Sequence, residues 1–573
     1  MVAADEPAAV TDAGPPAASR RAWLTRAFLS IDPRSLGLGR IALALVLLLD
    51  LVHRALGGVA LWYSNLGLLP NHTVLWRPPA PWIFSLFFMA SWPDEAALGF
   101  VLCGLVYLAL LVGWRTRLMQ ALSVVAVLSL HGRTTFLETG GDRMLRALAL
   151  TTAFLPLGRR FSVDAVRASL RRRDVEETTA ASLNDRAARA RDVTPVVSLA
   201  ALAVVLQLAT ASLFGALDAG GPWAARAIEI SLPVLILAPV ARPWLRRAAL
   251  VACLGLATGA RRFTHFGIPS FAMMAFTPYL LSPADWALFA RWASRRARRL
   301  TVSFDAGCGV CFQIARGLAR LDPLARLTFR SSDDEAARPP GVTSALLART
   351  IVVVDEATGA VTTRADGLAR ILGALPGGLL WALPLRLPGL RQLANLTYDA
   401  FAARRQTVSL WLGLAACGAP RAAPPLRPRP DPEPPPVRQW GRRATSVARE
   451  LVVAALVVTL LMRARSTFAT DAPMAHERVA VDAVTLDGRH VEVIPPRLDD
   501  DPFFSSYAAR IPFEADYFTA FQEWILRYPE RTGRPEDTIV KFDVWMVEDP
   551  SPAHGHGDER DRQGHVFLSW AKK

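Results

Sequence analysis

The sequence predicts a polytopic α-helical membrane protein of about 8 + 1 spans, with a cytoplasmic α/β domain and a small exoplasmic α+β domain at the C-terminal end. Three observations predict it. Of 573 residues, 52% are apolar, which is high for a soluble chain of this size. The apolar residues gather in runs long enough to cross a bilayer, which takes about 20 residues. The arginine clusters between those runs fall on one face when the runs alternate in direction.

Taken in order, residues 1–30 are Ala/Pro/Asp-rich and lack the charge, apolar core and cleavage site of a signal peptide, so a disordered cytoplasmic tail is expected. A transmembrane domain over 31–285 follows. Its expected spans are Leu36 to Leu56, Ala96 to Gly113, Leu118 to Leu137, Met144 to Leu157, Val196 to Leu217, Ala224 to Val240, Trp244 to Thr258 and Phe263 to Leu281. The Pro- and Trp-rich stretch from Pro79 to Trp92 is too short for a span and reads as an interfacial or re-entrant helix. "SRRAWLTR", "GWRTR", "GRR…RRR", "ARPWLRR" and "RWASRRARR" share the cytoplasmic face; Arg261 and Arg262 are the exception. The net charge of +15 is therefore distributed as loops carry it and does not indicate nucleic acid.

From 299 to 408 the pattern changes to soluble α/β alternation. A strand (Leu300 to Phe304), a helix (Cys308 to Leu321) and strands at Arg326 to Arg330 and Thr350 to Val354 precede a Thr358/Gly359 turn and a largely helical remainder. Residues 418–446 form a Pro/Arg-rich linker that cannot build a core. An additional transmembrane helix is expected over 447–465. Residues 467–573 read as the exoplasmic domain, with a hairpin around Asp487-Gly488, a helix in "YFTAFQEWILRY" and a strand in "DTIVKFDVWMV".

Five cysteines are too few and scattered for a disulfide scaffold, and Cys103 and Cys253 sit in apolar runs. Cys308 and Cys311 differ. A strand, a Gly-containing loop and a helix start put Cys308 at the helix's positive end, where unpaired amides favour thiolate. Cys311 lies one turn further in, expected to be the less exposed thiol, close enough to close a disulfide with Cys308. Cys308 is thus expected to attack a disulfide and Cys311 to resolve the mixed disulfide. Asp305 reads either as a loop or cap carboxylate or as the proton acceptor for Cys311. A structural zinc would need two further ligands that this domain does not offer, and no metal is expected.

"FDAGCGVC" resembles the DxxCxxC signature of the DCC-type thiol-disulfide oxidoreductases, and "LTYDAFAARR" (Leu396 to Arg405) resembles that family's closing Tyr/Arg element. The resemblance implies a thioredoxin-like fold over about Leu300 to Val408 and assigns the signature to Asp305, Cys308 and Cys311. "SALLART" lacks the proline that thioredoxins place beside their dithiol, so their substrate binding is not carried over. The stretch from Ile31 to Pro283 is similar to the HTTM domain of vitamin K-dependent gamma-carboxylase-like proteins. The pieces that carry the similarity are "DPRSLGLGRIALALVLLLDLVHR", "YSNLGLLP" and "ETGGDRMLRALALTTAFLPLGRRFSVD". This resemblance implies a membrane fold and admits a quinone-type (vitamin K-like) cofactor, although the dithiol chemistry itself requires none.

Ionisable residues in apolar spans are candidates for chemistry there: Arg40, Asp50, Arg54, His131, Asp142 and His265, with His53, Arg133, Glu138 and Glu229 beside them. Asp50 and Arg54, four apart, read first as an ion pair on one helix face. "ETGGD" reads as a turn that caps the next helix through Asp142. A lysine base is excluded before Lys541, and "AHGHGDER", with His554 and His556, reads as a flexible loop. The leading expectation is a membrane-bound thiol-disulfide oxidoreductase of a bacterial inner membrane, with membrane lipid and a protein or small-molecule thiol/disulfide as partners. The alternatives are an HTTM-type enzyme modifying a protein or lipid, with a regulatory dithiol, and a non-enzymatic transporter or scaffold.

Overall fold

The computed structural model describes residues 25–76, 84–135, 138–171, 183–184, 195–218, 223–238, 242–259, 268–296, 299–305, 308–322, 324, 326–332, 342–375, 377–412, 436–462, 477–495, 498, 501–508, 510–512, 515–548 and 564–572. The expectations for most of the N-terminal tail, most of the linker, Arg261, Arg262, His265, His554 and His556 lie outside the described residues.

Each of the eight apolar runs lies on a helix. They are α1 (Pro33–Leu56), α2 (Pro93–Val112), α3 (Thr116–Arg133), α4 (Gly140–Thr152), then, after α5 (Val163–Arg171), α6 (Leu199–Asp218), α7 (Trp223–Leu237), α8 (Arg242–Gly259) and α9 (Ile268–Phe276). Only α1 and α2, among the described residues, are both long and apolar enough to cross a membrane. The count of eight spans is corrected to two on that test, and a buried core helix can pass the same test. The reasons are local. α3 carries Gln120, His131 and Arg133 inward, all buried, and α4 has 13 residues. In α6 and at α9 the described apolar stretches, Leu199–Phe214 and Phe271–Leu280, are shorter than a span.

Asp32 caps α1 by accepting from the Arg34 amide at 2.8 Å, with Pro33 in the first turn, where its missing N–H costs nothing. α1 buries Leu36, Leu43, Leu47 and Leu51 on one face, and Arg40, Asp50 and Arg54 are buried with them. α2 behaves oppositely: Leu98, Val101, Leu102, Leu105 and Leu108 are all about half exposed. Gly113 ends α2 at φ 76°, and a Cβ there would strike Ser162 and the Arg40 guanidinium.

α10 (Pro283–Arg296) leads into an α/β domain with sheet order β2-β1-β3-β4. β1 (Leu300–Phe304) runs parallel to β2 (Leu327–Ser331), with α11 (Gly309–Leu321) between them, and antiparallel to β3 (Val352–Asp355). After α12 (Ser344–Arg349) and β3, the edge strand β4 (Val361–Thr363) pairs with β3. α13 (Arg364–Ala374), α14 (Leu379–Ala382) and α15 (Pro388–Trp411) complete the domain. β1 and β3 are fully buried, as central strands between helical layers must be.

The 27-residue helix α16 (Pro436–Met462) contains the run expected as an additional span. Its N-terminal part carries Arg438, Arg442, Arg443, Arg449 and Glu450, and its apolar part runs from Leu451 to Met462. Glu450 accepts from the Leu199 amide at 2.9 Å, fixing α16 to the positive end of α6. The C-terminal region is α+β: an antiparallel sheet, β8-β7-β5-β6, built from β5 (Glu477–Thr485), β6 (His490–Glu492), β7 (Ile539–Glu548) and β8 (Gly564–Ala571). Gly488, at φ 81°, makes the expected turn between β5 and β6. α17 (Pro502–Ala508) and α18 (Ala515–Leu526) pack beside it.

The α/β and C-terminal domains sit at opposite ends of α1. At its C-terminal end the connecting segment receives the C-terminal domain: Tyr507 Oη donates to Leu68 O at 3.3 Å, Arg527 Nη1 to Asn65 O at 3.0 Å, and Phe503 lies 5.0 Å from the His53 ring. At its N-terminal end Gly37 abuts Arg160 and Phe161. The chain then enters α5, which packs on α11 of the α/β domain.

Candidate functional site

Cys308 is the N-cap of α11, and its Sγ accepts from the Cys311 amide at 3.3 Å. The two sulfurs are 2.6 Å apart, so a disulfide bond, about 2.05 Å long, closes with a small side-chain movement. The expected order of exposure is reversed: Cys308 is 1% exposed and Cys311 is intermediate. The cap position draws the Cys308 sulfur back over the first turn, toward the amides it covers, while Cys311 sits one turn further along the helix surface. Burial, and then the hydrogen bond its S–H makes to Cys308, push the Cys311 thiol up to about 12.

α15 assembles the rest of this site. Tyr398 Oη accepts from the Ile351 amide at 2.7 Å and lies 3.3 Å from Thr350 Oγ1, pinning the helix to the start of β3. Two turns further along, Arg405 Nη2 lies 2.7 Å from Asp305 Oδ2, with both side chains mostly buried. The "LTYDAFAARR" segment thus contributes one anchor and one cation beside the dithiol. Arg405 pulls the Cys311 thiol down and Asp305 pushes it up, both more weakly than burial does.

A second cluster lies in the helical domain. Arg54 Nε donates to Asp50 Oδ1 at 2.8 Å, as their spacing of four predicts, and Arg54 Nη2 to Asp142 Oδ1 at 2.8 Å. His131 Nε2 lies 2.9 Å from Asp50 Oδ2 and 3.7 Å from Asp142 Oδ1. Arg54 Nη1 also donates to Thr134 Oγ1 at 2.9 Å, and the Tyr63 hydroxyl lies 3.4 Å from the same atom. Asp142 has a second role, since its other oxygen accepts from the Thr139 amide and hydroxyl, both at 2.8 Å, which is the capping turn read in "ETGGD". Asp50, Arg54, His131 and Asp142 are all buried. One ligand atom each from Asp50, His131 and Asp142 lies within 4.8 Å of the others, a spacing a cation could use. The donor set does not fit one as it stands, because Arg54 already occupies the Oδ1 of both carboxylates and a cation there would have to displace it.

The structure brings Asp50, Arg54, His131 and Asp142 together and leaves Arg40 apart. Arg40 donates to the carbonyls of Leu110, Leu111 and Phe161, tying the end of α2 to the approach to α5. Arg133 donates to Leu69 O, Glu138 pairs with Arg146, and Glu229 is half-buried on α7. Sequence reading did not single out Asn184. Its side chain donates to Phe329 O at 2.9 Å and accepts from the Phe329 amide at 2.8 Å, closing the open edge of β2, while Leu183 enters the α/β core. A Leu-Asn dipeptide in a polar connection gives no periodic signal that would have marked it.

No curated protein and no solved structure matches the chain. The family comparison brings no support for an HTTM domain over Ile31 to Pro283. It does match residues 302–411, and that segment, which contains both thiols and the Tyr398/Arg405 helix, is a DCC1-like thiol-disulfide oxidoreductase domain.

Proposed function

We propose that the chain is a membrane-bound enzyme that exchanges electrons with thiols and disulfides through Cys308 and Cys311. The observation that carries the chemistry is the closing geometry of the pair at the start of α11 inside the matched domain. In the reducing direction the Cys308 thiolate attacks one sulfur of a partner disulfide. A Cys308–partner S–S bond forms, the partner's S–S bond breaks, and one partner thiolate leaves. Cys311 then loses its proton and attacks Cys308 Sγ, releasing the second partner thiolate and leaving the 308–311 disulfide. Two electrons pass to the partner, and the reverse sequence oxidises a dithiol. Asp305 is the proton acceptor for Cys311, held in place by Arg405. Because Cys308 is almost fully buried, attack requires the adjoining chain to move aside.

The membrane location is supported by α1 and α2. With 24 residues, α1 is about 36 Å long and α2 about 30 Å, against a hydrocarbon core of about 30 Å. The domains at opposite ends of α1 then face opposite sides, the dithiol toward the cytoplasm and the C-terminal sheet outside. A quinone-type electron partner in the bilayer is compatible with this arrangement. The test is trapping: Cys311→Ser in cells should accumulate Cys308 mixed disulfides that are identifiable by mass spectrometry and absent in Cys308→Ser. If neither variant accumulates any adduct, exchange through this pair is refuted.

A further inference from the structure

The α/β domain carries an apolar surface that the dithiol chemistry does not use. α14, the turn after it and the start of α15 read "GGLLWALPLRLPGL", and Leu379, Leu380, Trp381, Leu383, Leu387 and Leu390 are between 47% and 75% exposed. Single exposed leucines are ordinary, but a run of six in one short hairpin is not. Few of its side chains serve the domain core: Ala382 is buried, while Trp381 stands out at the tip.

We infer that this hairpin is a lipid-docking element that seats the dithiol domain on the bilayer surface. The inference rests on the membrane reading given above. Four features identify a bilayer as the occupant. First, no acidic residue occurs from Gly367 through Tyr398, and although Arg391 pairs with Asp366 and Arg370 lies near Asp355, Arg386 stands exposed inside the apolar run, so the surface suits anionic headgroups. Second, Arg386 is exposed inside the apolar run and Trp381 crowns it, which is the side-chain mixture of the membrane–water interface. Third, the exposure matches that of α2, whose Leu98, Val101, Leu102, Leu105 and Leu108 are 47–59% exposed in a helix long enough to span. Fourth, α10, which enters the domain, shows a further apolar stripe of Leu288, Phe289 and Trp292 beside the exposed Arg291. A weak surface contact is sufficient, because the same chain already supplies spans and stable anchoring needs only two combined signals.

The consequence is orientational. Tyr398 and Arg405 lie on the helix that begins in this hairpin, so lipid contact at its start bears on the helix that touches Asp305.

The test uses the full chain in phosphatidylcholine vesicles containing phosphatidylglycerol, with a photo-crosslinking benzophenone amino acid placed in turn at Leu380, at Leu105 of α2 and at the exposed turn residue Thr358. The inference expects lipid adducts, read by mass spectrometry, at Leu380 and Leu105 and none at Thr358. It also expects the Leu380 adduct to fall roughly fivefold with Arg386→Glu or in pure phosphatidylcholine. Adducts at Leu105 without any at Leu380 would overturn the docking surface and leave the membrane reading standing. No adduct at either position would overturn both, and a chain-to-chain crosslink at Leu380 would assign the surface to a second copy instead.

Discussion

The dithiol of the α/β domain and the Asp50–Arg54–His131–Asp142 cluster both concentrate titratable side chains, and they are built in opposite ways. In the cluster each polar group meets a partner at hydrogen-bond distance and every member is buried, so removing any of them leaves a buried partner unmatched in the core. At the dithiol the two sulfurs face each other, one proton is held tightly on Cys311, and a single ion pair stands beside them at partial exposure. The first arrangement resists change and the second is one bond from a different covalent state. Density of charge alone therefore does not mark a reactive site; what marks it is a cheap second state.

That contrast is broken or sharpened by substitution. Cys308→Ser removes the nucleophile and should abolish reduction of an aromatic disulfide chromophore while leaving the chain folded, since Ser is close in shape and is itself a preferred helix N-cap. Residual turnover would move the chemistry elsewhere. Asp50→Ala should destabilise the fold by about 3–5 kcal/mol, because it removes the buried partner of Arg54 Nε and of His131 Nε2 and leaves Arg54 only Asp142 and Thr134. The exchange rate per folded molecule should not change, and a fully stable Asp50→Ala would show that the cluster is not structural. Asp305→Asn should slow release of the second thiolate by about 10²-fold at neutral pH. Burial pushes the Cys311 thiol up, so it is protonated at neutral pH and its thiolate fraction grows as pH rises. Without Asp305 the release rate should therefore climb about tenfold per pH unit between roughly pH 7 and 10. A flat profile would return Asp305 to a purely structural ion pair. Asn184→Ala should cost about 1–3 kcal/mol by leaving backbone groups of the β2 edge unpaired, visible as faster hydrogen exchange at Phe329. Thr343→Ala should cost about 1 kcal/mol, since the Thr343 hydroxyl only caps α12.

Much of the α/β domain was legible because its signals are local. The βαβ alternation and the dithiol at a helix start are each set by a few consecutive residues, as is the Asp487-Gly488 turn of the C-terminal sheet. The helical region was read correctly for the location of helices and wrongly for how many pass as spans. Apolar composition alone does not distinguish a helix that turns polar residues inward, as α3 does with Gln120 and His131, from one that leaves an apolar stripe exposed, as α2 does. The meeting of Asp50 with His131, 81 residues apart, is a tertiary event that no window of sequence contains. The exposure of the two thiols was misjudged for a related reason. Helix position predicts which cysteine comes first, while what covers it is set by packing.

The proposed function requires Cys308 and Cys311 to form a reversible dithiol on the cytoplasmic side of a membrane. The most direct measurement titrates the pair in native membrane vesicles against a glutathione series, with a membrane-impermeant maleimide applied to closed and to opened vesicles and the labelled peptide read by mass spectrometry. The account predicts a two-electron transition, with both thiols protected together when oxidised and labelled only from the cytoplasmic face when reduced. A pair that stays reduced across the whole series, or that labels from the opposite face, would contradict it.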